Sequence, residues 1–218
     1  DVCSSDLKLP NLNGFIELAE GRLRDDPDAC VVHLHLKNLR ASLATLHIDE
    51  HRAFIEQIIG QLTATFGSHV LIGIAKSDQF FLFLPMRGSI PQAVVERLIS
   101  LNKWLASPIF LGKSVVLTKP FIGYAQAPLN DGQISGLMDK AAVACRKAEL
   151  EDAGLPIAFE SRLKEEDLAR AKLANDLKTA LHRGEMSLLL HPVVAADSQA
   201  IHHARARIDR KSTRLNSS

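Results

Sequence analysis

Residues 70–84 read VLIGIAKSDQFFLFL, two short apolar runs on either side of the polar tetrapeptide Lys76-Ser77-Asp78-Gln79. Each run has the length of a strand, and both are rich in branched or aromatic side chains that favour β-structure. Serine and aspartate are common turn residues because their side chains bond to the nearby backbone. This stretch therefore predicts a β-hairpin with strands at 70–75 and 80–84 and a polar tip at 76–79.

Outward from the hairpin, apolar residues recur with helical or strand spacing along most of the chain. The predicted helices cover 9–23, 48–66, 91–105 and 134–150, and the further strands cover 31–36, 109–111, 115–124 and 156–159. Strands that alternate with helices predict the α/β class, a mainly α/β sheet with helices packed on it.

A more highly charged segment follows. Residues 163–183 predict a helix with Leu168, Leu173, Leu177 and Leu181 facing inward, and 186–190 predict a strand. We place a domain boundary between residues 160 and 170.

Composition excludes several classes of protein. The 218 residues are 46% hydrophobic and 23% charged with a net charge of +1, which is ordinary for a globular protein and gives no field that favours nucleic acid. The longest apolar run, residues 80–84, is far below the roughly 18 residues of a membrane span. Three cysteines without paired spacing predict no disulfide framework and a reducing, cytoplasmic setting.

Both ends of the chain resemble a translated sequencing adapter. One adapter DNA, read on its two strands, encodes residues 1–7 and residues 209–218. We expect both segments to be artefacts and leave them out of the fold prediction.

Several segments resemble GGDEF domains, which make cyclic di-GMP from GTP on a palm-like sheet with flanking helices. They occur in the family's order. Leu9-Pro10-Asn11 with Phe15 resembles the opening motif L-P-N-R-x-x-F, residues 76–80 occupy the signature hairpin, and residues 80–85 resemble the strand F-A-L-L-L-P. Residues 122–125 resemble the strand I-G-V-A, and Asp139, Ala141 and Arg146 match positions of the helix motif A-D-x-A-L-Y-x-A-K. The resemblance implies a GGDEF-like domain over 8–162.

A second resemblance is to the start of EAL domains, which hydrolyse cyclic di-GMP. Residues 176–185 resemble D-L-x-x-A-L-x-x-G-E, and 190–194 resemble Y-Q-P-I-V. This implies that 163–208 is the truncated N-terminal part of an EAL-like domain, its first helix and strand. The E-A-L motif falls on Arg205-Ala206-Arg207, without the metal-binding glutamate.

The resemblance also implies that the GGDEF signature is degenerate. The carboxylate at the end of the family's first strand falls on His35, its following acidic position falls on Lys37, and its metal-coordinating glutamate falls on Gln79. The two glycines of the signature fall on Lys76 and Ser77. Magnesium prefers carboxylate oxygens, so we expect no catalytic residue and no metal site. The positions that contact guanine fall on Leu43 and Arg52, and those of the inhibitory product site fall on Gly67 and Val70.

Some affinity for phosphate is compatible with what remains. Lys76, Asp78 and Arg146 are the candidate contacts to GTP phosphates, with GTP and Mg²⁺ as weak regulatory ligands rather than cofactors. The alternative is that Lys76 and Arg146 are solvated charges and Asp78 is a turn residue.

Histidines suggest a rival hypothesis. His33 and His35 share a strand face, and His47 and His51 follow, so a zinc site is conceivable. Zinc sites normally show tighter spacing or cysteines, which favours ordinary structural or exposed histidines.

The sequence thus predicts a non-catalytic regulatory module of a cyclic di-GMP signalling protein. Its expected partners are an attached EAL domain and a second copy in a dimer, with no nucleic acid and no membrane segment in this stretch. A membrane anchor is compatible with a preceding region of the parent protein. Two alternatives stay open: a fragment of an active phosphodiesterase whose catalytic residues lie beyond this chain, and an active cyclase with an atypical site.

Overall fold

The structure is a computed structural model, and it describes residues 9–25, 27–44, 46–86, 91–127, 133–194 and 201–210. The chain divides into two compact units, Asp1–Lys164 and Glu165–Ser218. Within the described ranges, no helix combines the length and the hydropathy needed to cross a bilayer.

Helices and strands alternate through the first unit, as the sequence predicts. The helices are α1 (Leu12–Asp25), α2 (Leu39–Leu43), α3 (Ile48–Phe66), α4 (Pro91–Ala106) and α5 (Ile134–Leu150), and the strands are β1 (Ala29–Lys37), β2 (Leu71–Lys76), β3 (Gln79–Pro85), β4 (Ile109–Leu111), β5 (Ser114–Val116), β6 (Lys119–Gln126) and β7 (Ile157–Ala158). A sixth helix, α6 (Ser161–His182), begins in this unit and ends in the second.

Five strands form the central sheet in the order β2-β3-β1-β6-β7. All neighbours are antiparallel except β6 and β7, and β4 pairs with β5 in a separate two-stranded sheet. The predicted α/β class is confirmed, and the predicted hairpin is β2 and β3, joined by a turn at Ser77 and Asp78. Strand β1 lies at the centre of the sheet, between β3 and β6, where its backbone groups can pair on both sides.

Side chains of β1 alternate between two hydrophobic clusters. Val32 and Leu34 face the cluster that includes α3 and α4, while Ala29 and Val31 face the cluster that includes α1 and α5. The alternation continues toward the end of the strand, so His33 and His35 belong to the α1 and α5 face.

Two glycines let helices approach the sheet closely. A Cβ on Gly123 of β6 would lie against the backbone of Ala141 and Cys145 in α5. A Cβ on Gly73 of β2 would lie 2.6 Å from the side chain of Phe15 in α1. The missing side chains therefore determine how tightly α1 and α5 pack on the sheet.

One predicted strand is wrong in its extent. The apolar run at 115–124 predicts a single strand, but the structure separates β5 from β6 at Leu117 and Thr118. The carbonyl of Leu117 accepts a hydrogen bond from Ser42, and the hydroxyl of Thr118 donates to the carbonyl of Leu105 at 2.8 Å. Because of these bonds, neither residue pairs with a neighbouring strand, and at this point the chain passes from the two-stranded sheet to the central sheet.

The second unit contains the rest of α6 and an antiparallel pair, β8 (Met186–Val194) and β9 (Ile201–Arg210). The predicted inward orientation of the α6 leucines is wrong for Leu168, Leu173 and Leu177, which are 62%, 55% and 41% exposed. The side chain of Leu181 lies outside the described residues. Helical spacing identifies an apolar face but not its partner, and the described part of the chain supplies none for these three.

The sequence predicts only the first half of this pair. The strand predicted at 186–190 is longer, and β9 is not predicted at all. β9 includes Asp209 and Arg210, which belong to the adapter-like segment. The other adapter-like segment, residues 1–7, lies outside the described residues.

Candidate functional site

The candidate site lies where β1 ends beside the tip of the β2–β3 hairpin. His35 is paired with Gln79 on one side and with Phe121 on the other. The backbone N–H of Leu36 donates to the carbonyl of Asp78 at 2.8 Å, which ties the tip to β1. Two of the positions singled out from the sequence, His35 and Gln79, are therefore direct neighbours across the sheet.

A carboxylate from α5 reaches the end of β1. Oε2 of Glu149 lies 3.3 Å from Nδ1 of His35, and its Oε1 lies 3.1 Å from Nζ of Lys37. His35 and Lys37 occupy positions at which the family resemblance implies acidic residues. Glu149 could not be predicted as part of this site, because no local pattern links its helix position to the end of a distant strand.

The three candidate phosphate contacts lie on two elements. Lys76 is exposed at the end of β2, next to an irregularity in the pairing after Ile74, and Asp78 is in the turn that follows. Arg146 is exposed on α5, one turn before Glu149. The hairpin thus brings Lys76 and Asp78 together, and Arg146 is carried separately by the helix.

His33 is a buried member of this region, only 8% exposed. Its ring stacks on Phe81 with centroids 4.5 Å apart and an interplanar angle of 15°. Neither ring nitrogen has a hydrogen-bond partner among the described residues. Burial, together with the positive charges of His35, Arg146 and Lys76, lowers the pKa of His33 to about 4, so the ring is neutral at pH 7.

The four histidines of the zinc hypothesis do not converge. His33 and His35 face α1 and α5, whereas His47 and His51 lie at the start of α3, which packs on the opposite face of the sheet. In the part of the chain that the structure describes, no three or more histidine, cysteine or acidic side chains are grouped to hold a metal ion. The geometry therefore does not support a zinc site.

The two described cysteines are free and buried. Burial raises the pKa of both the Cys30 and the Cys145 thiols to about 12, and Cys145 donates to the carbonyl of Phe121. A nucleophilic cysteine needs a thiolate, so neither residue is suited to that chemistry.

The remaining positions implied by the family resemblance lie on other parts of the first unit. Leu43 is buried in the core, and Arg52 is exposed on α3. Gly67 adopts a φ of 88° just after α3, and its N–H donates to the carbonyl of Thr63, so it caps the end of the helix.

No family model matches this chain, and no curated protein matches it. Solved structures do match. The GGDEF domain of TpbB (also called YfiN) from Pseudomonas aeruginosa is 19% identical with a TM-score of 0.63, over 72% of this chain and 94% of that one.

Two further structures show the same similarity. The GGDEF domain of DgcB from Caulobacter crescentus, solved in complex with c-di-GMP, is 12% identical with a TM-score of 0.61, over 74% of this chain and 95% of that one. An EAL/GGDEF domain protein from M. capsulatus is 15% identical with a TM-score of 0.57, over 69% of this chain and 99% of that one. At these identities the similarity establishes the fold: this chain has the α/β fold of GGDEF domains.

Proposed function

We propose that this chain contains a non-catalytic GGDEF-like regulatory module of a cyclic di-GMP signalling protein, which modulates an attached EAL-like domain. The observation that carries the proposal is the contact of Glu149 with both His35 and Lys37 at the end of β1. In a cyclase, this end of the strand supplies carboxylates to Mg²⁺; here a cation and an imidazole occupy those positions.

The chemistry of cyclisation needs negative charge at this place. Carboxylates hold the metal ions that neutralise the triphosphate and activate the attacking hydroxyl. Lys37 is an ammonium group, and the amide of Gln79 supplies no negative charge. Glu149 is a carboxylate in this region, but it is bonded to His35 and Lys37, so a metal would have to displace both partners.

The hairpin tip supports the same proposal. Close approach of a phosphate to backbone N–H groups favours residues without side chains. Here Lys76 and Ser77 stand at the two positions of the family's glycines, and both are exposed at the tip. A side chain at these positions restricts the close approach of a phosphate to the backbone.

A regulatory ligand remains part of the proposal. Lys76 carries positive charge at the end of β2 and Arg146 carries it on α5, and Asp78 lies in the turn between β2 and β3. GTP, with or without Mg²⁺, is the ligand that this arrangement would take, and its binding would bias the attached EAL-like domain or a dimer of the protein.

GTP turnover by the purified chain tests the proposal. We expect no cyclic di-GMP from GTP with Mg²⁺ or Mn²⁺, while an active GGDEF domain assayed in parallel makes product. Detectable turnover that is lost in Asp78→Asn would overturn the non-catalytic assignment. Titration calorimetry with GTP, with and without Mg²⁺, separates a nucleotide sensor from a module that acts only through contacts with its neighbours.

A second function is favoured by the second unit. A two-stranded sheet alone is only marginally stable. Several apolar side chains of β8 and β9 are exposed: Leu188, Leu189, Leu190, Val194, Ile201 and Ile208. This exposure is what the first strands of a larger barrel would show. The parent protein would then be a phosphodiesterase, and hydrolysis of cyclic di-GMP by the full-length protein, with a variant lacking 8–162 for comparison, tests both activity and modulation.

A further inference from the structure

The hairpin formed by β4 and β5 carries apolar side chains on both of its faces. Ile109, Leu111 and Val116 are buried and belong to the cluster that includes α3 and α4. On the opposite face, Phe110 is 65% exposed and Val115 is 47% exposed. An antiparallel pair that covers a core normally presents polar side chains to solvent, so this second apolar face indicates a partner.

Four side chains form this exposed surface, which we call the hairpin face: Pro108, Phe110, Val115 and Leu117. Phe110 and Val115 are paired across the two strands. The same register places Pro108 opposite Leu117, just outside the strands, and both are exposed. Together the four side chains expose roughly 400 Å², and an apolar patch of this size on a small domain often marks an interaction site.

An added strand does not account for the hairpin face, because helix side chains bond to the backbone on both sides of the hairpin. The carbonyl of Phe110 accepts a hydrogen bond from Gln57 of α3 at 3.4 Å, and the carbonyl of Leu117 accepts one from Ser42 of α2 at 3.0 Å. An extended peptide needs a free row of backbone groups. The partner therefore packs on the side chains of the hairpin face.

Charges of both signs border the hairpin face at its turn. The hydroxyl of Ser114 donates to Glu50 of α3 at 2.6 Å. Lys113 and Asp49 each precede one member of this bond, and both are exposed. A border of one sign would repel a second copy of the same surface, whereas a border of both signs can complement itself.

The apolar pairs are also complementary to themselves. Each pair joins a larger side chain to a smaller one, Phe110 to Val115 and Leu117 to Pro108. A two-fold axis along the hairpin would place each larger side chain on the smaller one of the other copy. We infer that the hairpin face is the contact between two copies of this chain, in a weak symmetric dimer in which Phe110 packs on the partner's Val115.

The inference goes beyond the proposed function, because the hairpin face contains none of the candidate phosphate contacts. It assigns a surface to the dimer that the sequence only anticipates. Stable dimers bury about 800 Å² per subunit, roughly twice the apolar area of the hairpin face, so we expect a dissociation constant in the micromolar range or weaker. Phe110 contributes most, because buried aromatic side chains dominate interfaces and a symmetric contact contains this residue twice.

Sedimentation velocity of the full chain, from micromolar to millimolar concentration, tests the inference. We expect reversible dimerisation that increases with concentration. Phe110→Ser should weaken it by at least about tenfold, because two aromatic side chains are lost from one contact. Leu18→Ser, at a similarly exposed position on α1, is the matched control and should associate like the wild type.

The second unit requires a control of its own, because β8 and β9 also expose apolar side chains. Leu188→Ser, which removes one of them, should leave the dimer unchanged. Thermal melts establish that each variant is folded.

A nitroxide label decides the question if Phe110→Ser does not fold. The label is attached to Lys113→Cys in a Cys3→Ser background and mixed with isotope-labelled wild-type chain. In the dimer it should broaden the amide signal of Gly112 in the isotope-labelled copy. The signal of Gly21, on α1 at the other face of the central sheet, should stay sharp.

Two results would overturn the inference. One is a chain that stays monomeric up to millimolar concentration, in which case a different protein or domain covers the hairpin face. The other is a dimer that Phe110→Ser leaves unchanged, and its loss in Leu188→Ser would place the contact on the second unit. Neither result bears on the non-catalytic assignment, which depends on GTP turnover alone.

Discussion

Glu149 and His35 lie 3.3 Å apart and join the last turn of α5 to the end of β1. The same carboxylate holds Lys37 at 3.1 Å, so one side chain bridges two residues of a central strand. The end of β1 therefore carries a cluster of one carboxylate, one imidazole and one ammonium group. This relationship supports a structural role for the end of β1, and it can be tested by removing the bridge.

Glu149→Gln should lower the free energy of unfolding by about 1 kcal/mol, because it removes the negative charge that holds Lys37 and contacts His35. Denaturant unfolding measures the change. The matched control is Glu151→Gln, which removes an i,i+4 ion pair between Lys147 and the more exposed Glu151. We expect this control to lower the free energy of unfolding by about 0.3–0.5 kcal/mol. Equal losses of stability in the two variants would show that the bridge to β1 stabilises the chain no more than an ordinary ion pair on a helix surface.

Gly123→Ala should destabilise the first unit by about 3 kcal/mol, because the added methyl group meets the backbone of α5 rather than a flexible side chain. Thermal or denaturant unfolding measures the loss.

Gly60→Ala is the control for that substitution. Nothing lies within 4 Å of the added Cβ on α3, and alanine favours the helix by about 0.5–1 kcal/mol. A Gly123→Ala protein as stable as the wild type would contradict the close approach of α5 to β6.

Local patterns predicted the parts of the fold that are decided locally. The helix at 48–66 and the hairpin at 70–84 are confirmed because their apolar spacing and turn residues lie within single short segments. The five-residue helix α2 was missed, since it is too short to show a period. The break at Thr118 was missed because its hydrogen bond goes to Leu105, thirteen residues away.

The site depends more on distant contacts than the fold does. The sequence alone drew attention to His35, Lys76, Asp78 and Arg146. It could not find Glu149, which meets β1 only because α5 packs on β6 at Gly123. From the sequence, His33 was only a candidate metal ligand. Its burial against Phe81 could not be predicted, because it follows from the pairing of β1 with β3.

The thiols of Cys30 and Cys145 should not react with Ellman's reagent in the native chain at pH 8. Both are buried and have a pKa raised to about 12, so almost no thiolate forms, and access is blocked. A Cys3→Ser background leaves these two as the only thiols. We expect no fast reaction in buffer, and two thiols per chain to react in denaturant. Rapid modification of the native variant would contradict the burial of at least one of the two cysteines.

Acid should destabilise the chain through His33. In the folded state its pKa is about 4, below the value of about 6.5 in the unfolded chain, so the unfolded state binds the proton more readily. The stability from the neutral buried ring is fully present above pH 6.5 and is lost as the pH falls toward 4. The free energy of unfolding should therefore drop by about 3 kcal/mol across this window from this residue alone.

His33→Phe separates this effect from the general effect of acid. Phenylalanine cannot be protonated and can still stack on Phe81, so the variant should lose less stability between pH 6.5 and 4 than the wild type. His69→Phe, at an exposed position, should follow the wild type. The measurement is denaturant unfolding at several pH values. Parallel pH profiles for the wild type and His33→Phe would mean that the ring is solvated or already bonded in the folded chain, and the buried neutral histidine would have to be abandoned.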